Sequence, residues 1–115
     1  RIPKVSKEFE QARYKYYAFI RPEMLEGGWD RDRIMNAISA EGVPCFGGSC
    51  PEIYRESAFA GTGMEPVDRL PVAKELGETS LVFLVHPTLS EKDIKDVIEA
   101  VVKVFNVASS FKHQE

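Results

Sequence analysis

The sequence contains no long apolar run and few cysteines. Its longest uninterrupted stretch of apolar residues is LVFLV, residues 81–85. A membrane-spanning helix needs about 20 apolar residues, and the core of a signal peptide also needs more than this stretch provides. The chain holds only two cysteines and shows no targeting segment, which is typical of proteins of the reducing cytoplasm. We therefore predict a cytoplasmic protein without a membrane partner.

An excess of basic residues is also missing. The chain has 15 basic and 18 acidic residues and a formal net charge of −3, whereas a nucleic-acid-binding domain carries a basic patch or stripe. The densest basic cluster, Arg31 and Arg33, alternates with Asp30 and Asp32. This alternation predicts a solvated helix face whose charges neutralise one another. We therefore predict no nucleic-acid partner.

The length of the chain, 115 residues, is that of one domain, and a domain of this size buries roughly two-thirds of its unfolded surface. Its first residue is Arg1 rather than an initiating methionine. We expect from this that the chain was cut from a longer protein.

Three segments have the composition of β-strands. Residues 14–22 (YKYYAFIRP) are rich in aromatic and β-branched side chains and end at a proline. Residues 43–46 form a short second candidate. Residues 80–87 (SLVFLVHP) are almost all apolar, which predicts a strand that is buried on both faces.

Two helices have clear terminal signals. Asp30 is a predicted N-cap, and Gly42 follows the same helix as its terminating glycine. Ser90 begins the last and strongest helix, with Asp93 three residues later as a shortened capping box. That helix carries a continuous apolar stripe, which predicts a face buried in the core. The stripe consists of Ile94, Val97, Ile98, Val101, Val102 and Phe105.

Two shorter helices are predicted between these. Pro51 fits the first turn of one that ends at the GTG sequence of residues 61–63, and Pro71 opens another over residues 72–76 that Gly77 ends. The order is strand, helix, strand, helices, strand, helix. It predicts an α+β fold, a two-layer sandwich in which helices pack on one face of a small, mostly antiparallel sheet of about three strands.

Several stretches together resemble the C-terminal small domain of one aminotransferase family. They are YKYYAFIRPEML, RDRIMNAISAEGVP, PEIY and LPVAKELGETSLVFLVHPTLSEKDI. Their order and spacing are similar to those of the DegT/DnrJ/EryC1/StrS family, the fold type I, pyridoxal-phosphate-dependent aminotransferases of nucleotide-linked keto-sugars. The resemblance covers residues 14–107, which leaves residues 1–13 as a connecting arm and residues 108–115 as a disordered tail.

The resemblance implies a parent enzyme that transfers an amino group, usually from glutamate, to a nucleotide-linked keto-sugar for surface polysaccharide or related glycan synthesis. It implies a homodimer with active sites near the subunit interface. In this family the catalytic lysine and most cofactor ligands lie on an N-terminal large domain, which this chain lacks. The resemblance therefore implies that the fragment has no catalytic residue and binds no pyridoxal phosphate by itself.

The lysines of the chain agree with that implication. All of them fall on predicted helix surfaces or at chain ends, so none has the desolvated position that lowers a lysine pKa for imine chemistry. They are Lys4, Lys7, Lys15, Lys74, Lys92, Lys95, Lys103 and Lys112.

The stretch GVPCFGGSCPEIY, residues 42–54, contains both cysteines. Cys45 and Cys50 are separated by four residues, which is longer than a redox C-x-x-C motif and at the outer limit for structural zinc. The histidines, His86 at a strand end and His113 in the tail, are far away in sequence. A redox or zinc protein is therefore disfavoured, and we predict no metal site. The cysteines are expected to be small packing residues.

The same stretch has features of an anion-binding loop. Gly47 and Gly48 allow a ligand to approach backbone N–H groups, Ser49 offers a hydroxyl, and the helix predicted at Pro51 would present its positive end. Glu52 opposes this reading because it already complements the helix dipole, and a tight structural turn is the ordinary role of such a sequence. A stand-alone small-anion-binding module is the alternative function that these residues leave open.

The resemblance adds a substrate role for this loop. Many family members carry a His-Tyr pair near the substrate at this place, whereas this chain reads FGGSC and keeps only the later tyrosine. The sugar-nucleotide contacts that the resemblance implies are Phe46, Gly47, Gly48, Ser49, Cys50 and Tyr54.

Overall fold

The computed structural model describes residues 1–109, which form a three-stranded antiparallel sheet and three α-helices. The predicted α+β fold is confirmed. The elements in chain order are β1 (Lys15–Phe19), α1 (Arg31–Ala40), β2 (Cys45–Phe46), α2 (Pro71–Thr79), β3 (Ser80–Leu84) and α3 (Glu91–Ala108). Among residues 1–109, none of the helices combines the length and the apolar character that crossing a membrane requires.

Strand β3 is the centre of the sheet, with β1 on one side and β2 on the other. Tyr17 and Phe46 both lie opposite Val82, whereas Cys45 lies opposite Phe83. Because side chains alternate along a strand, Val82, Tyr17 and Phe46 share one face of the sheet. Phe83 and Cys45 point to the other face.

The hydrophobic core lies between that second face and the helices α1 and α3. Ile34 and Ile38 of α1 are fully buried, and they pack with Leu81 of β3 and with Ala100 and Val104 of α3. These residues recur at helical spacing in α1 and α3, so each helix turns one side towards the sheet. The two-layer arrangement of helices on one sheet face follows from this packing.

The ends of α1 and α3 are as predicted. The Asp30 carboxylate accepts a hydrogen bond from the Arg33 N–H at 2.7 Å, and Gly42 follows α1 at a φ of +88°. At α3, the Ser90 hydroxyl accepts the Asp93 N–H and the Asp93 carboxylate accepts the Ser90 N–H, which completes a capping box. Ala108 is buried at the end of α3. Ser109, the next residue of the predicted tail, pairs with Leu25 in an isolated β-bridge, and residues 110–115 lie outside the described residues.

The prediction of a helix that begins at Pro51 is wrong. Residues Ile53–Arg55 and Ser57–Phe59 form two short 3₁₀ turns, separated by Glu56 in an extended conformation with ψ of 146°. The few apolar side chains here are too sparse for a helical stripe. The Glu52 carboxylate binds side chains of later residues rather than complementing a helix end.

Two other boundaries differ from the prediction. Helix α2 begins at Pro71 as expected but continues past Gly77 to Thr79, and Gly77 lies against Pro51 within the helix. Strand β3 is buried only over Ser80–Val82, and the exposed fraction of Leu84 is 51%. The prediction of burial on both faces therefore fails for the second half of the strand.

The apolar stripe of α3 is only partly in the core. Val97, Val101 and Phe105 pack against the buried cluster. Ile94, Ile98 and Val102 are exposed, although the stripe was predicted to be buried throughout. The stripe is wider than the surface that the sheet and α1 offer to it.

Candidate functional site

The segment from Gly47 to Glu52, here called the glycine loop, crosses the sheet face opposite α1 and α3. The Ser80 hydroxyl donates a 2.6 Å hydrogen bond to the Gly47 carbonyl. Gly48 has a φ of +94°, and a Cβ atom there would lie 3.2 Å from the Tyr17 ring and 3.5 Å from the Val82 side chain. The sequence needs glycine at position 48 both for its backbone conformation and for this close approach. Val82 is buried although it lies on the outer face of the sheet.

Arg31 holds the loop in place. Its Nη1 donates to the carbonyl oxygens of Gly47, Gly77 and Ser80 at 3.3–3.5 Å. Its Nε lies 2.6 Å from an Asp32 carboxylate oxygen, in an ion pair that is not aligned as a hydrogen bond. One guanidinium group thus joins the loop, α2 and the start of β3.

The prediction of a solvated, self-neutralising helix face is therefore wrong for Arg31. Its side chain is only 23% exposed, because the first turn of α1 lies beside the glycine loop. A Cβ atom at Gly47 would lie 2.5 Å from Arg31 Nη1, so this glycine makes room for the guanidinium. Sequence reasoning missed the contact because it joins residues from three separate segments.

A second network fixes the far end of the glycine loop. Arg69 binds both carboxylate oxygens of Glu52, with Nε 2.8 Å from Oε1. The Tyr54 hydroxyl donates to the same carboxylate at 2.6 Å and accepts the Leu70 N–H at 2.9 Å. Arg69 and then Tyr54 lower the pKa of Glu52 from its ordinary 4.5 to about 2. The Tyr54 hydroxyl, a predicted substrate contact, is thus engaged in holding the loop to the start of α2.

We expect this carboxylate to shape the acid stability of the chain. Because the folded-state pKa of Glu52 is depressed, its contribution is fully present above pH 4.5 and is lost as the pH falls towards 2. Glu52→Gln should therefore flatten the decline in the free energy of unfolding over this range, as measured by urea unfolding at a series of pH values. Arg69→Met should flatten it similarly, since it removes the main cause of the shift. A decline as steep in Glu52→Gln as in the parent chain would contradict the assignment.

The glycine loop also packs against α2. A Cβ atom at Gly77 would lie 2.9 Å from the Pro51 Cβ and closer still to its Cγ. The rigid proline ring cannot rotate away. The close approach of loop and helix therefore depends on the absence of a side chain at position 77.

The contact between Gly77 and Pro51 reverses the usual effect of replacing a helical glycine by alanine. Replacing a glycine by alanine inside a helix stabilises by about 1 kcal/mol, but overpacking costs about 1–3 kcal/mol. Gly77→Ala should therefore lower the free energy of unfolding, measured by urea titration followed by circular dichroism. In a Pro51→Ala background the same change should be less costly or stabilising, because the ring is gone. Equal stabilisation in both backgrounds would refute the contact.

The two cysteines are free thiols and serve different contacts. Cys45 is buried, and this burial raises the pKa of its thiol. Cys50 is exposed and donates to the Glu56 carboxylate at 2.9 Å, which raises its pKa as well. Raised pKa values disfavour the reactive thiolate. Within the part of the chain that the structure describes, no three histidine, cysteine, aspartate or glutamate residues come together as a possible metal site.

The predicted site residues fall into two groups. Gly48, Ser49 and Cys50 are exposed, and together with Gly47 they line an open cavity of about 380 Å³. Lys74 and Glu78 of α2 also line this cavity, which makes its rim polar. Phe46 is exposed but is not among the residues that line this cavity, and the Tyr54 hydroxyl is engaged by Glu52 and Leu70. Four of the six predicted contacts, Gly47, Gly48, Ser49 and Cys50, therefore line one cavity.

His86 and Trp29 lie away from the glycine loop and have partners of their own. His86 is exposed in the turn after β3, where its Nδ1 lies 2.7 Å from the Thr88 hydroxyl. The Trp29 ring packs partly against the core, and the Arg33 guanidinium lies 4.4 Å from its centroid. Neither residue lines the cavity beside the glycine loop.

The lysines within residues 1–109 are exposed, apart from Lys15, which is half-buried. The Lys15 ammonium lies 5.3 Å from the centroid of the Tyr14 ring. Lys112 lies outside the described residues. No lysine of residues 1–109 therefore occupies the buried position that imine chemistry requires.

The chain is similar to an aminotransferase of known structure. A solved structure of an aminotransferase from Psychrobacter cryohalolentis is similar to 80% of this chain, with 54% sequence identity and a TM-score of 0.78. The chain spans 23% of the length of that aminotransferase. No protein-family model matches the chain, and the search of curated proteins gave no match.

Proposed function

We propose that this chain is the C-terminal small domain of a larger pyridoxal-phosphate-dependent aminotransferase of the DegT/DnrJ/EryC1/StrS type. The observation that supports this most strongly is the 54% identity with an aminotransferase over four-fifths of the chain, at a TM-score of 0.78. Identity at this level supports a common activity and not only a common fold. The residues that resemble the family lie in the folded body of the chain, residues 14–107.

The proposed reaction transfers an amino group from glutamate to a nucleotide-linked keto-sugar. The resemblance of the sequence to this family supports that substrate class, and the polar cavity beside the glycine loop is compatible with it. When bound, pyridoxal phosphate supplies the electron sink for such a transfer. We further propose that the complete enzyme is a cytoplasmic homodimer that acts in the synthesis of surface glycans.

The residues of this chain do not fit the cofactor by themselves. The lysines among residues 1–109 include none that is buried, and a cofactor lysine needs a desolvated, enclosed position. We therefore assign the cofactor to the remainder of the enzyme and derive no step of its chemistry from this chain. The role proposed for this chain is to close and shape the substrate pocket.

The glycine loop is the proposed substrate-facing element. Its exposed edge offers the Ser49 hydroxyl and the backbone of Gly48 to the cavity, and the exposed Phe46 ring immediately precedes the loop. A sugar presents hydroxyl groups and one apolar face, so polar groups and an aromatic ring suit it. Arg31 and the pair of Glu52 and Arg69 hold the two ends of the loop and are positioning residues in this proposal.

The alternative, a stand-alone anion-binding module, loses its main support. One of its supports was a helix N-terminus after the glycine loop, and the structure has only short 3₁₀ turns there. The Arg31 guanidinium lines the cavity, but its Nη1 is engaged by three protein carbonyls. No specific observation favours this function over the first.

The test is made on the protein encoded by the complete reading frame. With pyridoxal phosphate and glutamate, that protein should convert a nucleotide-linked keto-sugar to its amino-sugar, detected by mass spectrometry, and release 2-oxoglutarate in equal amount. Replacement of the glutamate by a buffer amine is the control for non-enzymatic amination. Failure to aminate any of a panel of nucleotide-linked keto-sugars would contradict the proposal.

A further inference from the structure

An apolar groove runs along α3 on the side of the first strand. It has a volume of about 480 Å³ and lies between α3 and the β1 side of the sheet; we call it the α3–β1 groove. Its walls are almost entirely apolar and come from β1, the end of β3 with the segment after it, and α3. Its lining residues include Tyr16, Leu84, Leu89, Ile94, Ile98 and Val102.

The α3–β1 groove exposes more contiguous apolar surface than a complete protein usually does. Ile94, Ile98 and Val102 form a row at spacings of four residues along α3, and the exposed fraction of Ile98 is 54%. Leu84 and Leu89 extend the same surface and are also exposed. A contiguous apolar patch of this kind marks an interaction surface more often than a solvated one.

The groove lies where the helix layer is incomplete. Helix α1 packs on β2, on β3 and on α3. Strand β1 is at the edge of the sheet, and its Tyr16 and Ala18 line the groove together with α3. A further element beside α3 would complete the layer over β1.

The start of the chain lies at the rim of this groove. The Phe19 N–H donates to the Arg1 carbonyl at 2.8 Å, so Arg1 runs along the free edge of β1. The next residue, Ile2, lines the groove. A polypeptide that precedes Arg1 would therefore leave the domain close to this groove.

The neighbouring aminotransferase provides the expected length of such a polypeptide, because this chain spans only 23% of it. We infer that the α3–β1 groove is covered by an amphipathic helix from the polypeptide that precedes Arg1 in the complete enzyme. A row of apolar residues at i, i+4 and i+8 is the surface into which the ridges of a second helix pack. This inference rests on the proposed function only in requiring that the chain be part of a longer protein.

Cysteine labelling in the complete enzyme tests the inference. In a Cys50→Ser background, which removes the exposed native thiol, Ile98→Cys should react with a maleimide at least about tenfold more slowly than Val107→Cys, since a packed helix must open first. Val107 is the matched control because it lies on the same helix, about half a turn away from Ile98 around the axis, and is also exposed. Ile94→Cys repeats the measurement at a second groove position.

Each outcome decides the inference. Slow labelling at positions 94 and 98 that does not change with protein concentration supports it. Labelling as fast as at position 107 overturns it, and so does protection that disappears on dilution, which would assign the groove to a second copy of the chain. Amination activity is measured separately, so a protein that protects Ile98 yet aminates nothing would overturn the proposed function and support the covered groove.

Discussion

Gly48→Val in the complete enzyme is expected to raise the KM for the keto-sugar by about tenfold or more, the range that one disrupted contact in a binding pocket produces. The half-reaction with glutamate should be unchanged. Gly48 has a φ of +94°, and a side chain there would meet the Tyr17 ring at 3.2 Å and the Ser80 hydroxyl at 3.3 Å. The glycine loop would therefore lift from the sheet, and its exposed edge would leave the position from which it is proposed to face the sugar.

Gly61→Val is the matched control for this experiment. Gly61 also has a positive φ, +72°, but a Cβ atom there would meet nothing within 4 Å. Both variants carry the backbone penalty of a branched residue at positive φ, and only Gly48→Val disturbs the loop contact. Equal KM values for the two variants would contradict the assignment of the glycine loop to the substrate.

Arg31→Met is expected to lower the free energy of unfolding of the chain by about 1–3 kcal/mol, the cost of leaving partly buried polar groups without their charged donor. The carbonyl oxygens of Gly47, Gly77 and Ser80 all accept from its Nη1. The Gly47 carbonyl keeps the Ser80 hydroxyl as a second donor, which limits the loss. Urea unfolding followed by circular dichroism measures the change.

Arg33→Met provides the comparison for Arg31. Arg33 belongs to the same helix, but its guanidinium donates to a single carbonyl, that of Gly28, and lies at the surface. Its loss should lower the free energy of unfolding by less than about 1 kcal/mol, as is usual for an exposed charged contact. If both variants lower the free energy of unfolding by the same amount, Arg31 does not have the joining role that its three contacts indicate.

Local signals in the sequence were sufficient for the well-defined helices. Asp30 and Gly42 mark the ends of α1, and Ser90 with Asp93 marks the start of α3, because each of these signals acts within four residues of the chain. The aromatic, β-branched and apolar composition of residues 14–22, 43–46 and 80–87 likewise predicted three strands. These features depend on backbone hydrogen bonding and on side-chain periodicity, both of which a sequence displays directly.

The features that were missed depend on contacts between distant segments. Gly77 is a helix-ending residue by local rules, yet it lies inside α2, where the Pro51 ring occupies the space that a side chain would need. Arg31 belongs to an alternating charged run, yet it contacts backbone atoms up to 49 residues away. The apolar stripe of α3 is correct as a pattern, but nothing local shows that Ile94 and Ile98 lack a partner within residues 1–109.

The candidate site was also predictable from the sequence only in part. The glycine loop was found from its composition, and residues 47–50 line one cavity. Its supports, Arg31 from before the loop and Arg69 from after it, were not predicted. Their partners are backbone carbonyls and one carboxylate, and a sequence does not reveal such pairings.

Complementation tests whether this domain completes the active site of the enzyme. The remainder of the enzyme and this 115-residue chain are produced together as two polypeptides and supplied with pyridoxal phosphate, glutamate and a nucleotide-linked keto-sugar. We expect the amino-sugar to form only when both polypeptides are present. Full amination by the remainder alone, or none by the pair under conditions in which the intact enzyme is active, would contradict the claim that this domain completes the active site.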